Sequence, residues 1–219
     1  MESTTPFTDS LIQWGQSGSF YPILLPDAAS QKALESLQAD IIEQSPASVL
    51  SADLHSTLFY IKPTKLFEKL REVKPDYREE QLYLELTTTM STLITCFSMY
   101  RLDANVEGID RFGPNEEMLA LKLADVAIRN DARALLRRNL GFSGFAPDML
   151  DALAEDPTYQ WVFGPSEMHI SLASGVGKSL DIGSLPVPDE ITFSGLGDGS
   201  VQAPGGTLDE RLNWYLMGI

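Results

Sequence analysis

One four-residue phrase occurs twice in this chain, and both copies lie in segments that favour β-strands. Residues 55–58 read His-Ser-Thr-Leu and residues 169–172 read His-Ile-Ser-Leu, and these phrases contain both histidines of the chain. Side chains alternate between the two faces of a strand, so residues two positions apart share a face. Each histidine therefore shares a strand face with a hydroxyl residue, Thr57 in the first phrase and Ser171 in the second.

The surrounding pattern predicts an α+β fold with one phrase in each half. An apolar strand over residues 20–25 ends at Pro26, and Asp27 caps a helix that runs to about Gln44. Pro63 ends the first His strand, and we expect Thr64 to cap the next helix. Further predictions are helices over about residues 78–90 and 131–141, strands over 97–102, 106–112, 118–123, 167–173 and 190–193, and a loop with a short helix over 142–155. This order favours two similar lobes around a cleft.

The charge balance restricts the kind of partner. The chain has 16 Lys and Arg against 31 Asp and Glu, which gives a formal net charge of -15. An acidic surface repels long polyanions, because binding to a phosphate backbone normally needs a basic patch. We therefore expect a small nucleotide or a short oligonucleotide as substrate, and no tight binding to long nucleic acid. The sequence leaves protein partners unknown.

The residue types also bear on cofactors and compartment. A single cysteine, Cys96, excludes an internal disulfide and a cysteine-based zinc site. The carboxylates are scattered without the spacing of metal ligands, so we expect neither a metal nor another cofactor. The first residues lack the basic and apolar regions of a signal peptide, and no apolar run is long enough for a membrane span. These features predict a cytoplasmic protein that does not contact membranes.

Two His–hydroxyl pairs that face each other supply the groups needed to cleave a phosphodiester. A neutral imidazole can accept a proton from an attacking water or ribose hydroxyl, and a protonated imidazole can donate one to the departing oxygen. Hydroxyl groups can donate hydrogen bonds to the non-bridging phosphate oxygens, where charge builds up. The alternative is that both histidines are structural residues of their strands. The matched neighbours and strand settings of the two phrases favour the catalytic interpretation.

With these phrases, the chain resembles the 2H phosphoesterase superfamily, which includes the 2′-5′ RNA ligase-like proteins and the cyclic nucleotide phosphodiesterases. The opening strand that ends in Leu-Pro, the element order and residues 108–113 (Gly-Ile-Asp-Arg-Phe-Gly) are similar as well. The resemblance covers about residues 19–196. It implies that residues 1–219 form one bilobal domain, in which two antiparallel sheets line a central cleft with helices outside. A peripheral N-terminal arm and a C-terminal tail would flank this core.

The resemblance also implies metal-independent hydrolysis of 2′,3′-cyclic phosphates, related cyclic nucleotides or 2′-5′ linkages. His55 and His169 would be the catalytic acid and base, in an order that the sequence leaves open, and Thr57 and Ser171 would bind the phosphate. Two alternatives stay open. One is an RNA 3′-end-trimming exonuclease of the same superfamily, which the second phrase also resembles. The other is a module that binds a phosphorylated nucleotide without cleaving it.

Three further features have weaker interpretations. Residues 175–179 (Gly-Val-Gly-Lys-Ser) resemble the end of a phosphate-binding P-loop, but Leu172 stands where that motif needs its first glycine, so we expect a turn. Trp161 and Phe163 could stack on a base, although core packing is the default for large aromatic residues. The apolar end of the chain, residues 214–217, could pack on its own domain or on a partner.

Overall fold

The computed structural model describes residues 19–100, 102–156, 159, 163 and 167–198. Within these ranges the chain forms seven strands and five α-helices. The strands are β1 (Pro22–Pro26), β2 (Val49–Leu50), β3 (Ser56–Thr57), β4 (Asp103–Phe112), β5 (Met118–Leu123), β6 (Met168–Ser174) and β7 (Glu190–Asp198). The helices are α1 (Ala28–Gln44), α2 (Pro63–Val73), α3 (Glu79–Cys96), α4 (Ala127–Phe142) and α5 (Pro147–Glu155). The predicted α+β class is confirmed.

The strands pair antiparallel throughout and form one continuous ladder. Their order is β2-β6-β3-β1-β7-β4-β5, and β5 also pairs with β6, so the ladder closes on itself. The long strand β4 joins two groups of strands, because its first residues pair with β7 and the rest pair with β5. The second connection is the pairing of β3 with β6. The antiparallel sheets expected from the sequence are thus hydrogen-bonded to each other at two places, and one of these places joins the two His strands.

Helices cover one side of this ladder and leave the other side of the His strands accessible. The buried residues form a cluster that includes helix and strand residues alike, among them Leu34, Leu37 and Ile41 of α1, Ile128, Ala132 and Leu136 of α4, and Ile170 and Leu172 of β6. The start of α1 is fixed as predicted, because the Asp27 carboxylate accepts a hydrogen bond from the Ser30 N–H at 2.7 Å. Since the helices pack behind the strands, a site on the His strands has to lie on the opposite face.

The strand predicted over residues 97–102 is wrong. Helix α3 continues to Cys96, and a 3-10 turn, Phe97–Met99, follows it. Threonines are generally more favourable in strands, but those near the end of α3 are accommodated in the helix because their hydroxyls donate to carbonyls four residues earlier. Thr89 donates to Glu85 O at 2.7 Å, and Thr92 donates to Thr88 O at 2.8 Å.

Two predicted helix caps are also wrong. Helix α2 begins at Pro63 with Lys62 as its N-cap, because the fixed φ of proline suits the first helical position and its missing N–H costs nothing there. Asp131 lies inside α4, which begins four residues earlier at Ala127, so that Ile128 joins the buried face. The strand that carries the first phrase is shorter than predicted, and β7 extends further than predicted, to Asp198.

Residues 175–179 form a turn, as expected, rather than a phosphate loop. Gly175 has a φ of +66°, a conformation that favours glycine. The Arg111 guanidinium holds the turn by donating to Gly177 O at 2.8 Å and to Val176 O at 3.4 Å. Lys178 is exposed at its tip.

Some predictions fall outside the described residues, namely those on the N-terminal arm, on Trp161 and on the C-terminal tail. In the part of the chain that is described, no helix combines the length and the apolar character required to cross a bilayer.

Candidate active site

The two His phrases lie side by side on neighbouring antiparallel strands. β3 and β6 pair through Ser56 and Ile170. Continuing this register by one residue in each direction places His55 opposite Ser171 and Thr57 opposite His169. Because residues that lie opposite each other share a face, the four predicted side chains come to one face of the sheet. The two histidines are then diagonal neighbours, which in such a ladder are roughly 7–8 Å apart.

The burial of the two phrases alternates in the same way. From residue 54 to 58 and from residue 168 to 172, buried residues alternate with partly exposed ones. The partly exposed positions are the two histidines and the hydroxyl residues Thr57 and Ser171. Ser56 and Ile170, which lie between them, are fully buried on the helix side. The alternation therefore leaves the His–hydroxyl face accessible while the other face forms core.

His55 is oriented by the backbone of its own phrase and by aromatic neighbours. Its Nδ1 lies 3.0 Å from the carbonyl oxygen of Asp53. Because a carbonyl only accepts hydrogen bonds, this contact assigns a proton to Nδ1. The ring of Tyr21 lies 6.5 Å from the His55 ring and 5.8 Å from the Tyr60 ring, centroid to centroid. The sequence did not indicate either tyrosine as a site residue.

His169 is affected by burial and by neighbouring charges. Burial lowers its pKa below the ordinary value of 6.5, and a hydrogen bond to the backbone of Glu167 opposes this shift. The charge of Arg129 lowers the pKa further, whereas the charge of Glu167 raises it. The ring of Phe112 on β4 lies 5.7 Å from the His169 ring. Phe112 belongs to residues 108–113, the segment that resembles the family, so that segment does reach the candidate site.

The match between the two phrases extends beyond the four residues of each. Each imidazole contacts the backbone of the residue two positions earlier, which is Asp53 for His55 and Glu167 for His169. Both of these residues are acidic, and an apolar residue follows each of them, so the phrase reads acidic-apolar-His-x-hydroxyl-Leu in both copies. The signal was present in the sequence, but its meaning depends on the ring-to-backbone contact, which only the structure provides.

A lysine and two carboxylates lie next to the second phrase. Lys122 of β5 is the register partner of His169 and so lies on the same face. Its Nζ is 3.2 Å from a Glu167 carboxylate oxygen and 3.8 Å from one of Asp110, and these ion pairs raise the pKa of Lys122. The positive charge is thus balanced by two exposed acidic side chains.

Other sequence candidates do not join this group. Phe163 is buried in the core cluster, in line with the default expectation for a large aromatic residue. No group of three or more His, Cys, Asp or Glu side chains among the described residues is arranged to hold a metal ion. The independence of the chemistry from a metal stays a prediction.

Comparison with known proteins gives distant likenesses in fold. No protein-family model and no curated protein matches the chain. The crystal structure of TT0787 of Thermus thermophilus is similar at 18% identity over 82% of both chains, with a TM-score of 0.45. A crystal structure described as a phosphoesterase has 14% identity over 82% of this chain and 85% of that one, with a TM-score of 0.40. The structure of Kluyveromyces marxianus Usb1 with uridine monophosphate has 12% identity over 72% of this chain and 71% of that one, with a TM-score of 0.34. At these values, the assignment of a function depends on the chain's own residues.

Proposed function

We propose that this chain is a 2H-type phosphodiesterase that hydrolyses a 2′,3′-cyclic phosphate, a related cyclic nucleotide or a 2′-5′ linkage without a metal ion. The observation that carries the proposal is the β3–β6 register, in which Ser56 pairs with Ile170. This register gives each histidine a hydroxyl residue of the other phrase as its neighbour. A phosphate bound on this face would meet one imidazole and one hydroxyl from each strand.

In this proposal Thr57 and Ser171 hold the phosphate. Both are partly exposed on the His face, and a hydroxyl can donate to a non-bridging phosphate oxygen. These hydrogen bonds strengthen as negative charge builds up on the phosphorus oxygens in the transition state. The hydroxyls therefore stabilise the transition state more than the bound substrate, which is the requirement for catalysis.

We assign the base to His169 and the acid to His55. The lowered pKa of His169 supports this order, because its imidazole is mostly neutral at pH 7. His169 takes a proton from water while the water oxygen forms a bond to phosphorus. The bond between phosphorus and one ribose oxygen breaks, and protonated His55 donates its proton to that oxygen. The products are a phosphomonoester and a free ribose hydroxyl, and exchange with solvent restores both imidazoles.

The charges beside the site support a small substrate. Lys122, the register partner of His169, is already paired with the carboxylates of Glu167 and Asp110. A long polyanion would meet these acidic side chains and a chain of net charge -15. A single cyclic phosphate carries only one negative charge to the same face.

The test is turnover of a panel of 2′,3′-cyclic nucleotides, 3′,5′-cyclic nucleotides and 2′-5′-linked dinucleotides in the presence of a metal chelator. The wild-type protein should cleave at least one of them, and His55→Ala and His169→Ala should each lower kcat by roughly 10²- to 10⁴-fold. Ser56→Ala is the matched control, because Ser56 lies in the same phrase but faces the core. It should keep the wild-type kcat.

Three results would overturn the proposal. They are unchanged turnover in either histidine variant, activity that disappears with the chelator, and no product from any substrate. Binding of a nucleotide without product over long incubation would support the non-catalytic binding module instead.

A further inference from the structure

The backbone ladder that joins the two His phrases is short. β3 is two residues long, and one residue pair, Ser56 with Ile170, registers between β3 and β6. On the N-terminal side of this pair, β2 pairs with β6 in a different register, with Val49 opposite Ser174. Residues 51–54, between β2 and the first phrase, therefore form a bulged loop, and the β3–β6 register begins again at the phrase itself. At the end next to β2 the Ser51 N–H donates to Leu172 O at 2.9 Å, and buried side chains add further hydrogen bonds at both ends of the Ser56–Ile170 pair.

Gln38 holds the end of the pair beside the bulged loop. This residue of α1 is 6% exposed, and its Nε2 donates to Ser51 O at 3.0 Å and to Leu172 O at 2.8 Å. Ser51 lies at the start of the bulged loop, and Leu172 is the last residue of the second phrase. One buried amide group thus binds both the loop that precedes the first phrase and the last residue of the second phrase.

Arg129 holds the opposite end of the pair. This residue of α4 is 1% exposed, and its guanidinium donates to Leu58 O at 3.2 Å and to Glu167 O at 3.4 Å. Leu58 is the last residue of the first phrase, and Glu167 provides the backbone contact of the His169 ring. The Asp125 carboxylate accepts a further hydrogen bond from the same guanidinium and balances its charge.

We propose that Gln38 and Arg129 are positioning residues that hold the two His phrases at the separation catalysis requires, one at each end of the β3–β6 pair. This inference rests on the proposed function. Both side chains act from the helix side and do not touch the substrate. Each reaches backbone carbonyls of both segments, so the loss of either would let one strand move relative to the other.

Arg129 also acts on His169 through its charge. The charged and titratable groups around His169 are Glu167 just before it, Lys122 on β5, His55 next to β3 and Arg129 on α4. Of these, Arg129 contributes to lowering the pKa of His169, in addition to burial. Removal of the guanidinium charge should therefore raise the pKa of His169, whereas a lysine at this position should preserve it.

The experiment compares Gln38→Met, Arg129→Met and Arg129→Lys with Asn139→Leu, at a temperature where circular dichroism shows all four to be folded. Asn139 is the matched control, because it is a similarly buried amide on α4 whose Nδ2 donates to Thr89 Oγ1 at 2.9 Å, away from both phrases. The measurements are kcat and the pKa of each imidazole by NMR. The chain has only two histidines, so single His variants assign both signals.

Gln38→Met should lower kcat by about tenfold to a hundredfold, the scale of a misplacement by about 1 Å, and leave the pKa of His169 unchanged. Arg129→Met should lower kcat and raise that pKa. Arg129→Lys should keep the pKa but not the full kcat, because an ammonium cannot reproduce the guanidinium fork. Asn139→Leu should leave both readouts near the wild type.

Folded Gln38 and Arg129 variants that match Asn139→Leu in both readouts would overturn the inference. If Arg129→Met does not fold, the kcat values of Arg129→Lys and Gln38→Met test the inference, and values equal to that of Asn139→Leu would overturn it. If the wild type has no activity, the proposed function fails, and the NMR titration with hydrogen exchange at Ser56 and Ile170 still tests the positioning. Exchange at these two amides that is no faster in the variants than in Asn139→Leu would then overturn it.

Discussion

The first His phrase lies at a two-residue strand beside two tyrosines, whereas the second lies in a seven-residue strand that pairs with β2, β3 and β5. The residues of the two phrases match almost position by position, and so does their alternation of buried and partly exposed side chains. Their surroundings do not match. His169 is buried enough for its pKa to fall, and a lysine with two carboxylates lies next to it. The ring next to His55 is that of Tyr21, which also contacts the ring of Tyr60, whereas the ring next to His169 is that of Phe112.

Under the proposed function, the repeated phrase specifies which groups face the substrate, and the surroundings decide what each group does. Two imidazoles with the same kind of contact to their own backbone can still divide acid and base work, because desolvation penalises the charged form of His169. Experiments that treat the two phrases in parallel therefore either separate their roles or show them to be equivalent.

The largest loss of kcat should come from replacing a histidine, and its size should depend on the leaving group of the substrate. On a 2′,3′-cyclic nucleotide, His55→Ala and His169→Ala should each lose roughly 10²- to 10⁴-fold in kcat. A nucleotide 4-nitrophenyl ester releases a nitrophenolate that needs no proton, so the acid becomes dispensable. On this ester His55→Ala should recover most of its activity, and His169→Ala should stay impaired. The measurement is kcat of both variants on both substrates.

Equal recovery of the two variants on the nitrophenyl ester would contradict the division of roles. Recovery of His169→Ala alone would reverse it, with His169 as the acid. The ratio of the wild-type kcat values on the two substrates is the reference for both comparisons.

Removing either hydroxyl should give the next largest loss of activity, and the loss should be similar for the two residues. Thr57→Val and Ser171→Ala each remove a hydrogen bond to a charged group, which is worth about 1.5–3 kcal/mol. This corresponds to a loss of roughly tenfold to 150-fold in kcat/KM. Thr57→Ser is the control, because it keeps the hydroxyl and should keep most of the activity. If one variant loses activity and the other does not, the phosphate is held by one phrase alone.

The pH dependence of kcat/KM should show a smaller effect, which reports the pKa of the base. A base whose pKa is lowered stays neutral to a lower pH, so the acidic limb of kcat/KM should lie below pH 6.5, the ordinary histidine value. Arg129→Met should move this limb upward, since Arg129 contributes to the shift. The check is a pH profile of kcat/KM for both proteins. An acidic limb at or above pH 6.5 in the wild type would contradict a base with a lowered pKa.

Much of this arrangement could be predicted because it depends on local rules. The period of two along a strand put His and hydroxyl on one face, and the Asp27 cap and the strand over residues 118–123 follow from residue type and pattern. The pairing of β3 with β6 could not be predicted, because strand register depends on contacts between residues more than a hundred positions apart. For the same reason, a buried Gln38 or Arg129 gives no sequence signal. The acceptors that tie both side chains to the phrases are backbone carbonyls, which every residue has.

The smallest effect concerns the centre of each phrase, where the two differ. The second phrase has Ile170 in the core, whereas the first has Ser56, whose hydroxyl has no hydrogen-bond partner within the described residues. An unpaired buried hydroxyl is unfavourable, but its removal leaves a small cavity. Ser56→Ala should therefore leave the free energy of unfolding unchanged or raise it by up to about 1 kcal/mol, measured by urea denaturation. A clear loss of stability would mean that the hydroxyl has a partner, and the serine would then help to hold β3 against the helices. An unchanged or raised value would leave the β3–β6 pairing, with Gln38 and Arg129 behind it, as the source of order in the first phrase.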